Sequence, residues 1–115
     1  MLSAVSPATI PTVTAVAEYV TVDRIGVLVT FSEAMDQSRT PENFWTIEWN
    51  GTENADATNM TFINATQVRI WYEEIGHAPA TVDFASYNLP PLEPQRMRDA
   101  EGHYLAAGGW AVPFP

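Results

Sequence analysis

Two histidines, fourteen acidic side chains and no cysteine are the groups from which any chemistry in this chain would have to be built. Nucleophilic catalysis needs a hydroxyl or thiol within reach of a base. His77 and His103 each come directly after a glycine, Gly76 and Gly102, in stretches that read as turns, and no G-x-S-x-G elbow is present. Both imidazoles therefore read as solvated loop groups and not as a catalytic base. There is no H-E-x-x-H, no Gly-rich phosphate loop and no zinc-ligand spacing. The expectation is a protein that is not an enzyme.

Carboxylates can work in pairs. Glu73 and Glu74 are adjacent, and on a strand adjacent side chains face opposite sides, a poor geometry for shared acid–base work. Glu33 and Asp36 lie together in one polar segment. With Asp99, should a later hairpin come close, they offer oxygen ligands for Ca²⁺. No D-x-D-x-D run supports such a site, and loop capping by Glu33, Asp36 and Asp99 is the competing reading. Asn50-Gly-Thr, Asn59-Met-Thr and Asn64-Ala-Thr match the glycan acceptor pattern, but their composition also suits turns. The aromatic side chains are the remaining candidates. Phe44, Trp71 and Tyr87 take positions opposite to the expected core residues, and an outward aromatic cluster is what a protein contact or a sugar platform uses. Trp110 and Phe114, in the C-terminal tail, complete the expected partner-binding set.

The elements that would position these groups can be read from periodicity. Ile25, Val27, Val29 and Phe31 fall at every second position and predict a buried strand that runs out at Ser32. Trp45, Ile47 and Trp49 alternate with Thr46 and Glu48, and Asn50-Gly51 then signals a turn. Val13–Ala17, Met60–Asn64, Gln67–Tyr72 and Thr81–Tyr87 alternate in the same way, with Val82 and Phe84 expected inward and Asp83 outward. Thr52–Thr58 reads as polar loop, and Pro90, Pro91 and Pro94 exclude a central strand. Met97–Leu105 reads as a hairpin about Ala100-Glu101-Gly102, and Trp110–Pro115 as an edge strand or a docked tail. About seven strands with frequent turn signals and no helical period predict an all-β sandwich. Residues 1–10 are expected to form an extended N-terminal arm, and 11–115 a single domain large enough for one core.

Charge narrows the partners. The net charge is −9, with five arginines and no lysine. Such a surface is unsuited to tracking phosphates, so neither nucleic acid nor an anionic membrane is expected. No apolar run approaches the ~20 residues of a membrane span. The first fourteen residues, MLSAVSPATIPTVT, carry neither the basic segment nor the apolar core of a secretory signal.

The sharpest local pattern is Phe31-Ser32-Glu33-Ala34-Met35-Asp36 at a strand exit, then Asn43-Phe44 and, near the C-terminus, Asp99 with Gly102 and Leu105. In these features, over roughly Pro11 to Leu105, the chain resembles bacterial immunoglobulin-like domains, which occur repeated in surface proteins and singly in tailed-phage virion proteins. His103 stands where that family usually has asparagine, and the Leu89–Pro94 segment is longer than its pattern. The resemblance implies an immunoglobulin-like β-sandwich with an extended N-terminal arm and a C-terminal tail, and a non-enzymatic role. The partner it implies is a capsid or other virion protein, with the chain decorating the virion surface after assembly in the host cytoplasm. Its alternative is a spacer, adhesion or carbohydrate-binding repeat of a bacterial surface protein, facing a cell-surface glycan. No cofactor is expected beyond the Ca²⁺ considered above.

Overall fold

The computed structural model describes residues 10–113. They form eight strands: β1 (Val13–Val20), β2 (Arg24–Phe31), β3 (Trp45–Trp49), β4 (Glu53–Asp56), β5 (Asn59–Asn64), β6 (Gln67–Glu73), β7 (Val82–Tyr87) and β8 (Gly108–Ala111). All pairings are antiparallel, and they make two four-stranded sheets, β1-β2-β6-β5 and β4-β3-β7-β8, packed as a β-sandwich. Single 3₁₀ turns at Glu42–Phe44 and Glu93–Gln95 are the helical elements among the described residues, and no helix is long and apolar enough to cross a membrane. The arm expected over 1–10 lies, apart from Ile10, outside the described residues.

Alternation decides the core. β2 sends Ile25, Val27, Val29 and Phe31 inward, and β6 adds Val68 and Ile70 from the neighbouring strand. Trp45, Ile47 and Trp49 come from β3 in the facing sheet, joined by Val82, Ala85 and Tyr87 of β7. Each fully buried aliphatic side chain contributes about 2 kcal/mol of transfer free energy, so these strands carry most of the driving force for the sandwich. The Asn50-Gly51 turn appears as its sequence predicts, both residues having positive φ.

Three sequence expectations need correction. Thr52–Thr58 is not all loop: Glu53–Asp56 pairs with β3 as an edge strand whose exposed carboxylates protect the open edge. The hairpin at Met97–Leu105 does not extend into ladder strands; it is held by isolated bridges, Arg98 with Tyr104 and Met35 with Asp99. In β7 the inward phase slips. The β3–β7 register passes from Trp49↔Val82 to Glu48↔Phe84, leaving Asp83 as a bulge residue. Phe84 is thereby turned from the core face, and Ala85 and Tyr87 take the inward positions in its place.

Of the two readings of the C-terminal segment, the edge strand is the one observed, over Gly108–Ala111. β8 pairs with β7, the Trp110 ring stacks on buried Trp45 at 5.6 Å between centroids, and Val112 is buried. Removing Trp110–Pro115 therefore opens the core as well as removing a surface.

Candidate functional site

The two halves of the FSEAMD and D-x-x-G pattern meet in space. After Phe31 the chain leaves the ladder, and Ser32 ties it to the start of β1: its hydroxyl accepts from Thr12 N (2.9 Å) and its own N–H donates to Thr12 O (2.8 Å). The loop then runs beside the 97–105 hairpin, with Asp36 N donating to Arg98 O and Ala100 N donating to Ala34 O, both at 2.9 Å. Met35, Met97 and Leu105 point inward beneath this zipper and are buried. The arrangement seals one end of the sandwich with main-chain hydrogen bonds, the requirement any buried non-ladder backbone must meet.

Asp99 is the centre of this seal and is 1% exposed. Its Oδ1 accepts from Glu101 N (2.9 Å) and His103 N (2.8 Å), and its Oδ2 faces His103 Nδ1 at 2.8 Å. Gly102, at φ 96°, takes the left-handed conformation that closes this five-residue turn, with its N–H donating to Asp99 O. Burial pushes the Asp99 carboxyl up. The hydrogen bond shared with Glu33, together with those donated by the His103 main chain and ring and by Glu101 N, outweighs it and holds Asp99 at about 2. The same contact, with Asp99 foremost, raises His103.

Glu33, Asp99 and His103 offer ligand-type atoms lying within 4.8 Å of one another. Sequence reasoning expects Glu33, Asp36 and Asp99 to share a Ca²⁺ site, and the structure joins Glu33 to Asp99. Asp36 is elsewhere: its Oδ1 accepts from Ser38 N (3.0 Å) and the Ser38 hydroxyl (2.6 Å), and its Oδ2 accepts from Arg98 Nε at 3.0 Å. These bonds, the Ser38 hydroxyl first, bring Asp36 down to about 2. His103, which reads from sequence as a solvated loop residue, takes the place beside Asp99. The D-x-x-x-H spacing is the available signal, since a tight turn returns the ring to the carboxylate that organises it. The Asp99 oxygens already take two main-chain N–H groups, an imidazole and the hydrogen bond with Glu33, so a cation here would compete with these partners. The geometry is that of a locked turn.

A second polar chain runs along the same end. Arg39 Nη1 donates to the Glu93 carboxylate (2.9 Å) and main-chain oxygen (2.8 Å), and the Tyr104 hydroxyl donates to the same carboxylate. These bonds pin the 3₁₀ turn of the Pro-rich segment onto the loop after β2.

The expected aromatic contact set disperses. Tyr87 is in the core, 1% exposed, with its ring 5.2 Å from that of Trp45 and its hydroxyl accepting from Met97 N at 3.0 Å. Phe44 is half-buried and packs against the core from the 3₁₀ turn. Trp110 is stacked on Trp45, and Phe114 lies outside the described residues. Trp71 does face outward from β6, yet it is only 8% exposed. It lies across from Gly26, with Tyr19 and Arg24 covering it: the Tyr19 ring centroid is 6.2 Å away and the Arg24 guanidinium sits 5.0 Å over the ring. Asn50, Asn64 and their neighbours use their side chains on turns: Asn50 Oδ1 accepts from Thr81 N and Asn64 Oδ1 from Thr66 N.

Two expected results test this geometry. Tyr87→Phe leaves the Met97 N–H buried without its acceptor and should cost about 1–3 kcal/mol, read as a lower urea midpoint with an unchanged m-value. The second concerns acid. Asp36 and Asp99 titrate near 3.8 when unfolded and at about 2 when folded. The unfolded chain therefore takes up protons first as pH falls. Stability held by these carboxylates should be complete above about pH 4 and fall steadily towards pH 2. In Asp99→Asn that acid limb should be shallower in a pH series of urea midpoints; an identical limb would remove Asp99 from this role.

Among known proteins, the chain matches no family model, no curated protein and no solved structure. The fold and this locked end define its class, an all-β sandwich whose polar groups fasten loops.

Proposed function

We propose that this chain is a non-enzymatic structural and interaction module of immunoglobulin-like type, working at the surface of a tailed-phage or phage-like virion, where it decorates the capsid or another virion protein. The observation that carries the non-enzymatic reading is the commitment of both imidazoles. His103 is engaged with Asp99, and His77 faces two main-chain carbonyl oxygens. Among the described residues neither ring is hydrogen-bonded to a hydroxyl that could act as a nucleophile. The strand order supports the immunoglobulin-like reading: written as A to G in chain order with β4 as C′, the sheets are A-B-E-D and C′-C-F-G. The resemblance in FSEAMD and D-x-x-G supports the virion setting, and the −9 charge keeps a densely displayed surface module from self-association. A sugar platform on a bacterial surface protein draws less support, because Trp71 is covered and Tyr87 is internal.

The test is co-sedimentation of the purified chain with particles from its own source that lack it. Saturable binding is expected, weakened by deletion of residues 1–10, which leaves the ladder from Val13 onward intact. Failure to sediment with any such particle would end the virion reading, and turnover of a substrate by the purified chain would end the non-enzymatic one.

A further inference from the structure

At the end of the sandwich opposite the Asp99 seal, one side chain ties two connections together. His77, in the connection between β6 and β7, places Nδ1 2.7 Å from Ala78 O and Nε2 2.8 Å from Thr21 O, the latter in the connection between β1 and β2. A carbonyl oxygen can only accept, so each contact requires an N–H on the ring. Neutral imidazole carries one N–H and imidazolium carries two. The observed pair of contacts is thus satisfied in full only by the charged ring.

We propose that His77 is a proton-operated latch that ties the β6–β7 connection to the β1–β2 connection when charged and releases it when neutral. The charged groups around it favour the closed form. Asp23 lies on the opposing connection, where it also accepts from the Thr21 hydroxyl at 2.8 Å, and Glu74 lies on the ring's own connection. Glu73 is the next acid along β6. Arg24 is the neighbouring cation, and it is drawn away over the Trp71 ring, between Asp23 and Glu73. The carbonyl of Ala78 first, and then that of Thr21, raise His77 above its ordinary value. A raised folded value means that the latch stabilises fully below about pH 6.5 and that its contribution is lost as pH climbs through the folded value.

Release is local. On either side of His77 the connection is anchored independently, by Glu74 N donating to Asp23 O at 3.0 Å and by Thr81 N donating to Asn50 Oδ1 at 3.0 Å. Between these anchors the latch holds two loop tips side by side, with Val22 80% and Ile75 92% exposed. The apolar cleft they line, together with Val20 and Pro79, has a volume of about 800 Å³. Its width is what the proton controls.

The experiment is nuclear magnetic resonance on the intact chain across a pH series. Ring ¹⁵N shifts should show both His77 nitrogens protonated at about pH 5.5, with loss of one proton at a midpoint above the unperturbed value of about 6.5. Through that same midpoint the amides of Ile75 to Ala78 should become more mobile, while the Glu74 amide, one of the independent anchors, should keep its protection. In His77→Gln, which cannot charge, these loop signals should be independent of pH. His103 titrates at the other end of the molecule, and residue-specific signals separate the two. A single neutral tautomer of His77 at about pH 5.5, or the same pH response in His77→Gln, overturns the latch.

Discussion

Gly26→Ala should lower stability by about 3 kcal/mol, although it adds a single methyl group to a surface-facing position. Gly26 is on β2, one of the two interior strands of its sheet, directly across from Trp71 on β6 and Tyr19 on β1. A Cβ built there would press into the Ile70 carbonyl oxygen and stand 2.7 Å from both Cα and Cβ of Trp71. These are main-chain or main-chain-adjacent atoms of a central ladder, so relief requires β2 and β6 to move apart. That movement would disturb Val27↔Ile70 and Ile25↔Tyr72, the pairs that place the core side chains. The aromatic ring lying over a strand glycine is what makes the position tolerable in the wild-type chain, since Trp71 covers the backbone that Gly26 leaves bare. The fitting control is Gly108→Ala at the start of edge strand β8. There the nearest atom is in the Trp110 ring at 3.3 Å, and a side chain can give. Its expected cost is within about 1 kcal/mol. Urea midpoints for the two variants decide the matter: equal values would mean that the β2–β6 ladder yields more readily than packed strands do.

How much of this is legible in the sequence depends on whether a residue's role is set along the chain or across it. The period-two run from Ile25 to Phe31 shows itself without knowledge of any partner, and so do Asn50-Gly51 and the turn at Gly102. Glu53–Asp56 does not, because a short edge strand with one packed face has no apolar alternation to display. Periodicity puts Phe84 and Tyr87 on the wrong faces for a related reason. Counting in twos is sound only while the ladder is regular, and the bulge at Asp83 shifts every later residue of β7 to the other side. The outward direction of Trp71 is plain from alternation, but its burial depends on Gly26, Tyr19 and Arg24, which only the strand register brings to it. At the candidate site the pairing of Glu33 with Asp99 is foreseeable, whereas Asp36 is taken by its own loop neighbour Ser38. Short carboxylate side chains bond first to the residues one or two places further along the chain.

Trp45→Ala should be the most damaging aromatic truncation, at about 3–5 kcal/mol. The side chain is fully buried where β3, β7, β8 and the 97–105 hairpin converge. Its ring touches those of Tyr87 and Trp110, with centroids at 5.2 and 5.6 Å, and its Nε1 donates to the Met97 sulfur at 3.4 Å. Removing it leaves a void bounded by three strands that are tied to one another by ladder hydrogen bonds and so cannot collapse to fill it. Trp110→Ala, at a half-exposed ring, should cost less, and the double mutant should recover about 0.5–1.5 kcal/mol as the coupling of a stacked pair. The cycle also separates two roles open to Trp110. A residue held out for a partner would lose binding on truncation while leaving the urea midpoint unchanged, and it would show no coupling to Trp45. A residue that closes the core would do the reverse, and the stacking of its ring on a fully buried tryptophan argues for that outcome. If the coupling proves to be zero, the C-terminal strand would rest on its ladder bonds to β7 alone, and Trp110 would count again as a surface contact.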